Sequence, residues 1–189
     1  MRTSETMDTK AENQMIETSG KLLAENGPGA FTLDVLSKQP DMQGFDIFTL
    51  VRNEEEVFKQ LLLQLEKDIT TIVDEISGQD DPTLEFEMLF KQLHKLFNQK
   101  PYYLTVIFDK DLRRQYRGAE EITSRIKGAA KGYLTGLIDR GKAQKVFTIN
   151  TKTKILVKEI LGSFKALMND MQLANKIIRD LKKYQSATD

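Results

Sequence analysis

Apolar residues recur every three or four positions along most of this chain, and this spacing restricts the fold more than any other feature. Residues so spaced fall on one side of an α-helix, whereas a half-buried strand requires strict alternation. The longest such stripe consists of Val57, Leu61, Leu65, Ile69, Ile72 and Ile76. Four more stripes of the same period follow it, and alternating segments are scarce. The sequence therefore predicts an all-α fold.

Residues that cap or break helices indicate where the predicted helices begin and end. A first helix over residues 13–26 stops at residues 27–29, where Gly, Pro and Gly follow one another. Thr32 can cap a second helix that runs to about Lys38, because its hydroxyl can accept a bond from a free backbone N–H. Residues 40–41, Pro and Asp, turn the chain into a third helix.

A capping-box pattern opens the long fourth helix, with Asn53 as the cap and Glu56 three residues later. Gly78 is expected to end this helix. Pro82 is expected to start the next one, since proline is favoured in the first helical turn. Gly141 is expected to end a later amphipathic helix. These signals delimit a helical chain that has no internal repeat and no low-complexity segment.

Composition and motif content exclude several classes of function. None of the 189 residues is cysteine, which excludes disulfides, thiolate nucleophiles and cysteine-bound metals. No apolar run reaches the ~20 residues of a membrane helix. The first residues lack the apolar core of a secretory signal, so we expect a cytoplasmic protein that does not enter membranes. The sequence has no nucleophile elbow, phosphate loop, metal-ligand spacing or dinucleotide-binding glycine set, so we expect no catalysis, cofactor or metal.

The order of elements between Met15 and Leu62 carries a family resemblance. The segment MIETSGKLLAENGPGAFTLDVLS supplies a first helix, an Ala-Glu-x-Gly ending and a Thr-led second helix, and FTLVRNEEEVF connects a third helix to a long fourth. Together these segments resemble the tetracycline-repressor (TetR) family of transcription regulators. The resemblance implies an N-terminal helix-turn-helix domain, residues 1–57. It implies that the long helix joins this domain to a C-terminal helical ligand-binding and dimerisation domain, residues 58–189.

The resemblance also implies a function and a set of contact residues. A protein of this family binds its operator as a homodimer and is released when a small molecule binds the C-terminal domain, and the third helix enters the major groove. By position, the DNA-facing residues would be Thr32, Gln43, Gly44, Asp46, Phe48 and Thr49. The last helices would form a four-helix dimer interface through Leu156, Ile160, Phe164, Met168, Ile177 and Leu181.

The charge of the first domain opposes DNA binding. From Asn13 to Val57 there are 3 Lys/Arg and 8 Asp/Glu, a net charge of −5, whereas affinity for DNA depends first on neutralising phosphates. Glu54 stands where the family has a lysine that meets a phosphate, and Leu50 replaces a histidine. Two functions therefore remain open. One is a DNA-binding regulator; the other is a module of the same fold that binds a ligand or a protein and has lost operator binding.

The third helix also has a purely structural interpretation. Its apolar residues would fill the core of the three-helix unit; they are Ile47, Phe48, Leu50 and Val51. Gly44 would lie early in this helix, where glycine costs about 1 kcal/mol relative to alanine unless a close contact requires it. Polar base reading would be limited, with Gln43 able to pair with adenine and Asp46 able to accept from cytosine.

Aromatic residues and the single histidine form a candidate ligand pocket in the second domain. These residues are Phe90, His94, Phe97, Tyr103, Phe108 and Tyr133. Such a pocket would take a small apolar or anionic ligand. The same residues can instead fill the core, and His94, at the border of an apolar stripe, can be a structural side chain.

Two further patterns each allow a structural and a functional interpretation. Three glycines recur at a spacing of four residues, at Gly128, Gly132 and Gly136. They would admit either a closely packed helix or a ligand. A basic cluster consists of Lys110, Arg113, Arg114 and Arg117. It would be either a solvated face or a site for an anionic ligand or an acidic partner.

Overall fold

The computed structural model describes residues 2–116 and 118–182, and in these residues it contains eleven α-helices and no strand. The all-α prediction is confirmed. The helices are α1 (Arg2–Asn26), α2 (Leu33–Ser37), α3 (Ile47–Leu50), α4 (Glu54–Ile76), α5 (Pro82–Gln99), α6 (Tyr102–Phe108), α7 (Lys110–Gln115), α8 (Gly118–Ala143), α9 (Thr153–Gly162), α10 (Phe164–Asn169) and α11 (Met171–Lys182). Short 3-10 turns at Pro28–Ala30 and Pro40–Met42 precede and follow α2. Within the described ranges, no helix has the length and apolar character needed to cross a membrane.

The chain forms two compact units. The N-terminal unit comprises residues 1–67 and 100–124, and the C-terminal unit comprises residues 68–99 and 125–189. The boundaries fall inside α4 and α8, so each of these long helices belongs to both units. Helices α1, α2, α3, α6 and α7 belong to the N-terminal unit, whereas α5 and α9 to α11 belong to the C-terminal unit.

The N-terminal unit is organised around α1, which packs against α2, α6 and both 3-10 turns. A Cβ atom on Gly20 would overlap the ring of Tyr102, so glycine is needed at this position for α6 to lie against α1. Tyr102 and Tyr103 meet edge to face with ring centroids 4.9 Å apart, and both rings are buried. The core of this unit therefore joins the helix-turn-helix segment to a helix that follows it by about fifty residues.

The local signals around α2 and α4 are confirmed. The Thr32 hydroxyl oxygen accepts a bond from the Val35 backbone N–H at 3.2 Å. Asn53 Oδ1 accepts from the Glu56 N–H at 2.9 Å, which starts α4 as the capping pattern predicts. Gly78 follows α4 with a φ of +83°, a conformation that favours glycine.

The third helix departs from its prediction. Asp46 caps it and it spans only Ile47–Leu50. Gly44 lies before the helix with a φ of +89°, so the expectation of a costly glycine inside the helix is wrong; the turn requires glycine. Ile47 and Val51 are buried and Leu50 is half-buried, but Phe48 is 62% exposed. The expectation that Phe48 fills the core is therefore wrong, because α3 turns this side chain to the surface.

In the C-terminal unit, α5 packs against α10 and α11, and aromatic rings fill the core. Phe86 lies 5.1 Å from Phe90 and 6.1 Å from Phe147, measured between ring centroids. The prediction that Gly141 ends a helix is wrong, since α8 continues to Ala143. A Cβ on Gly141 would overlap the Phe147 ring, so this glycine allows a close contact.

Candidate DNA-binding surface and ligand cavity

The six predicted DNA-facing residues are all exposed. Thr32 precedes α2, and the others lie in the seven-residue segment 43–49, which comprises the turn before α3 and most of α3 itself. Asp46 Oδ1 accepts a bond from the Phe48 N–H at 3.1 Å, and the Thr49 hydroxyl donates to the Asp46 carbonyl at 2.7 Å. The polar groups of Asp46 and Thr49 thus already take part in the helix cap, which limits what they offer to bases.

Glu54, at the position of the family's phosphate-binding lysine, makes an internal contact. Its Oε1 accepts a hydrogen bond from the Leu33 N–H at 3.0 Å, and Leu33 is the first residue of α2. The N-terminus of a helix presents unpaired N–H groups and partial positive charge, which attract an anion. The Glu54 carboxylate therefore supplies an anion to the α2 terminus from within the protein.

The two neighbouring glutamates bind other backbone groups. Glu55 Oε1 accepts from the Gly118 N–H, the first residue of α8, at 2.9 Å. Glu56 accepts from the Arg52 N–H at 2.7 Å. Sequence reasoning missed the contact between Glu55 and Gly118, because no pattern in the sequence indicates a partner 63 residues away.

A buried aromatic pair lies next to the acidic first turn of α4, which holds residues 54–56. The ring of Phe58 lies 5.2 Å from that of Tyr116, centroid to centroid, and both side chains are buried. Burial raises the pKa of the Tyr116 hydroxyl, and the charges of Glu54 and Glu55 raise it further. The start of α4 is thus held against the segment before α8 by apolar packing and by a hydrogen bond.

Two of the cations in the helix-turn-helix segment form exposed ion pairs with carboxylates four residues earlier. Lys21 Nζ lies 3.1 Å from Glu17, and Lys38 Nζ lies 2.6 Å from Asp34. Hydrogen bonding and charge from Glu17 raise the pKa of Lys21. Two of the three cations between residues 13 and 57 therefore already face a carboxylate, and the third, Arg52, is exposed.

The C-terminal unit contains a cavity of about 220 Å³ enclosed by α4, α5, α8, α9 and α10. Eleven of its thirteen lining residues have carbon side chains, and none is charged. The lining consists of Ile69, Thr70, Val73, Leu89, Phe90, Leu93, Ala129, Ala130, Tyr133, Leu134, Ile160, Leu161 and Phe164. Of the six residues predicted for a ligand pocket, only Phe90 and Tyr133 are among them.

The other four predicted pocket residues do not line this cavity. His94 is half-buried and its Nδ1 lies 2.8 Å from the Asn98 side-chain nitrogen, which agrees with a structural role. Phe97 packs edge to face on Phe164 at 5.4 Å between centroids. Tyr103 and Phe108 belong to α6 in the N-terminal unit. Phe97, Tyr103 and Phe108 lie near Pro101 in the sequence, but they do not lie together at this cavity.

A buried polar cluster adjoins the cavity at Tyr133. Glu85 is fully buried, and its two oxygens accept from the Tyr133 hydroxyl and from Arg140 Nη2, each at 2.7 Å. Burial, with the hydrogen bond to Glu85, raises the pKa of Tyr133. Sequence reasoning missed Glu85 and Arg140, since nothing in the sequence links two residues 55 positions apart.

The glycine and arginine patterns do not form enclosed sites. Cβ atoms on Gly128, Gly132 and Gly136 would meet nothing within 4 Å, so, of the two interpretations, close packing of a neighbouring helix is not found among the described residues. The basic cluster borders an open depression of about 480 Å³ lined by Lys110, Arg113, Arg114 and Glu120. Arg117, predicted with this cluster, lies outside the described residues. Among the residues that are described, no group of three acidic or histidine side chains could hold a metal.

Comparison with known proteins identifies the fold. No protein-family model and no curated protein sequence matches the chain. Among solved structures, a TetR-family regulatory protein from Rhodococcus RHA1 superimposes with a TM-score of 0.75 at 13% identity, covering 91% of this chain and 97% of that one. This chain has the TetR fold. FadR from Bacillus halodurans, a fatty acid degradation regulator, superimposes with a TM-score of 0.69 at 16% identity, covering 90% of this chain and 94% of that one. The TetR-family regulator PfmR from Thermus thermophilus superimposes with a TM-score of 0.66 at 13% identity, covering 92% of this chain and 96% of that one.

The TetR fold explains the order of the elements already described. Helices α1 to α3 are its helix-turn-helix segment, and α4 is the long helix that follows. The three neighbours described above are named as regulators.

The residues predicted for the dimer interface of the TetR fold divide into two groups. Leu156, Ile160, Met168 and Leu181 are buried inside the single chain. Phe164 and Ile177 are half-buried. A groove of about 530 Å³ runs between α9, α10 and α11, and its lining includes Ile177, the exposed Ala166 and Leu173, which is 37% exposed. The interface remains a prediction, and its accessible part would be this groove.

Proposed function

We propose that the protein is a cytoplasmic, homodimeric transcription regulator of the TetR type. It binds DNA through the segment 43–49 and responds to a small molecule in the apolar cavity of the C-terminal unit. The TetR fold, which extends over about nine tenths of the chain, is the observation that carries the proposal. The exposed helix-turn-helix surface supports DNA binding, and the apolar cavity of the C-terminal unit supports the response to a small molecule.

We expect operator binding to be weak. The Glu54 carboxylate occupies the α2 terminus, where a backbone phosphate would find N–H donors. Two of the three cations in the segment form exposed surface pairs with carboxylates four residues earlier. A dimer would bring about ten surplus negative charges to DNA in its two helix-turn-helix segments. Binding should therefore release few counterions and be weak even at low salt.

The test is a fluorescence anisotropy titration of the full-length protein against fragments of its own upstream region, at low and at moderate salt. We expect saturable binding to one fragment at low salt and weaker binding at moderate salt. A scrambled fragment of the same length is the control. Equal affinity for both fragments, or no binding at low salt, would contradict the proposed regulator.

A second candidate function follows from Phe48. This phenylalanine is 62% exposed, and the surrounding residues 41–56 include five acidic residues and a single cation, Arg52. An exposed aromatic side chain is a common anchor of protein interfaces, and the surrounding charge would favour a basic partner. In this alternative the module has kept the TetR fold and its cavity but binds a protein in place of an operator. Absence of DNA binding together with retained small-molecule binding would favour it.

A further inference from the structure

The cavity in the C-terminal unit offers no charge to a ligand. None of its lining residues is ionisable at neutral pH, and only Thr70 and Tyr133 carry a polar side chain. A charged group taken out of water needs a partner of opposite charge or several hydrogen bonds. The lining therefore disfavours an ionic ligand and favours one that is uncharged and mostly hydrocarbon.

The charged residues beside Tyr133 are already paired with each other. Arg140 donates to one oxygen of the fully buried Glu85, and Tyr133 donates its hydroxyl proton to the other. The charge of Arg140 is already balanced by Glu85, so an anionic ligand would find no net positive charge here, and taking Arg140 away would leave a buried carboxylate without its cation. A cationic ligand would have to displace Arg140 from Glu85. The cluster therefore offers no unbalanced charge to a ligand of either sign.

The size and opening of the cavity limit the ligand further. A volume of about 220 Å³ lies somewhat above the roughly 150 Å³ of an apolar cavity that holds benzene. Thr70 and Ala129 are exposed, whereas Leu89 and Leu134 are buried, so the cavity opens between α4 and α8.

Two glycines of α8 leave their part of the entrance of this cavity free of side chains. Gly132 and Gly136 follow Ala129 at helical spacings of three and seven, which places them on the same face. A Cβ atom at either glycine would meet nothing within 4 Å. This part of α8 therefore extends no side chain across the entrance, and a small molecule can enter without displacing one.

We propose that the ligand of this cavity is an uncharged, largely hydrocarbon molecule of about ten non-hydrogen atoms, selected against anions and cations by the uncharged lining and the charge-balanced Glu85–Arg140–Tyr133 cluster. This assignment rests on the proposed function, for which it names the class of effector. It replaces the broader expectation of an apolar or anionic ligand with the apolar alternative.

Three probes of similar shape and different charge test the assignment: toluene, benzoate and benzylamine. Isothermal titration calorimetry of the full-length protein at neutral pH should show toluene binding at least tenfold more tightly than either ion. The variant Ala130→Leu, which extends a side chain into the cavity, should weaken toluene binding at least tenfold. Ala24→Leu, the same change at an exposed position of α1, is the matched control and should leave it unchanged.

Each outcome distinguishes this assignment from the proposed function. Binding of benzoate or benzylamine as tight as that of toluene overturns the assignment, as does the absence of toluene binding or equal binding by Ala130→Leu and the parent protein. None of these results bears on DNA. Conversely, a protein that binds toluene but no upstream DNA fragment contradicts the proposed regulator and leaves the effector class intact.

Discussion

The Glu54 carboxylate lies 3.0 Å from the backbone nitrogen of Leu33 and caps α2 from the first turn of α4. In a DNA-binding protein of this fold the helix terminus is a natural place for a phosphate. An internal carboxylate here caps the helix-turn-helix segment, and under the proposed function it would at the same time repel the DNA backbone. One residue would then connect the stability of the segment with its affinity for DNA.

Replacement of Glu54 by lysine should strengthen DNA binding. The change removes the internal anion and adds a cation at each of two helix-turn-helix segments of a dimer. The slope of log affinity against log salt should steepen by roughly 0.9 for each new phosphate contact. Anisotropy titrations over a range of salt concentrations measure this slope. Asp74→Lys, an equal charge change at an exposed site of the C-terminal unit, is the control, and an equal steepening there would contradict a local effect.

Removal of the Glu54 charge alone should cost stability. Glu54→Gln keeps the shape of the side chain but loses the charge that strengthens its bond to the Leu33 N–H. Glu54 is half-buried, so we expect a loss of about 1 kcal/mol in the free energy of unfolding, typical of a helix cap. Urea denaturation measures it. An unchanged midpoint would show that the negative charge at the α2 terminus contributes little.

Phe48 and Ile47 should respond very differently to truncation although they are adjacent. Ile47 is fully buried and Phe48 is 62% exposed. Ile47→Ala should destabilise the protein by about 2–5 kcal/mol, whereas Phe48→Ala should change the free energy of unfolding by no more than about 0.5 kcal/mol. Chemical denaturation of the two variants compares them directly. A large loss with Phe48→Ala would mean that this side chain is packed.

The contrast between these residues shows how far sequence could predict the fold. Thr32 and Asn53 were predictable as caps because each bonds to a backbone N–H only three residues away. The exposure of Phe48 was not, since α3 has a single turn and shows no periodicity. Glu54 bonds to a residue 21 positions earlier and Glu85 to one 55 positions later. Such pairs depend on tertiary packing, which the spacing of hydrophobic residues does not predict.

The Glu85–Arg140 pair gives a prediction on stability. Arg140→Met would leave the fully buried Glu85 carboxylate without its cation. Because the Arg140 side chain is 42% exposed, we expect a loss of about 2–3 kcal/mol, below the roughly 3–5 kcal/mol of a fully buried pair. Urea denaturation at neutral pH measures the loss. The double variant Glu85→Gln with Arg140→Met should recover part of it; a double variant no more stable than Arg140→Met would contradict this account.

Tyr133 should make the protein less stable at alkaline pH. Its pKa is raised in the folded protein by burial and by its bond to Glu85, whereas in the unfolded chain a tyrosine titrates near about 10. The stabilisation is therefore fully present below about pH 10 and is lost as the pH rises from there toward the higher folded-state pKa, because the unfolded chain releases the proton first. Urea midpoints measured between about pH 8 and pH 11 should fall less steeply for Tyr133→Phe. An identical pH dependence in that variant and the parent protein would show that the hydroxyl does not contribute.

The groove between α9, α10 and α11 should be part of the dimer interface. Leu173 is a large apolar side chain that lines it and stays 37% exposed in the single chain, so a second copy could cover it. Leu173→Asp would place a charge in that interface at little cost to the fold of one chain. Light scattering should then show a mass that falls from that of two chains to that of one. Leu84→Asp is the matched control, because Leu84 is also exposed, at 46%, but lies on α5 outside the groove. If both variants keep the mass of the dimer, the two chains associate through another surface.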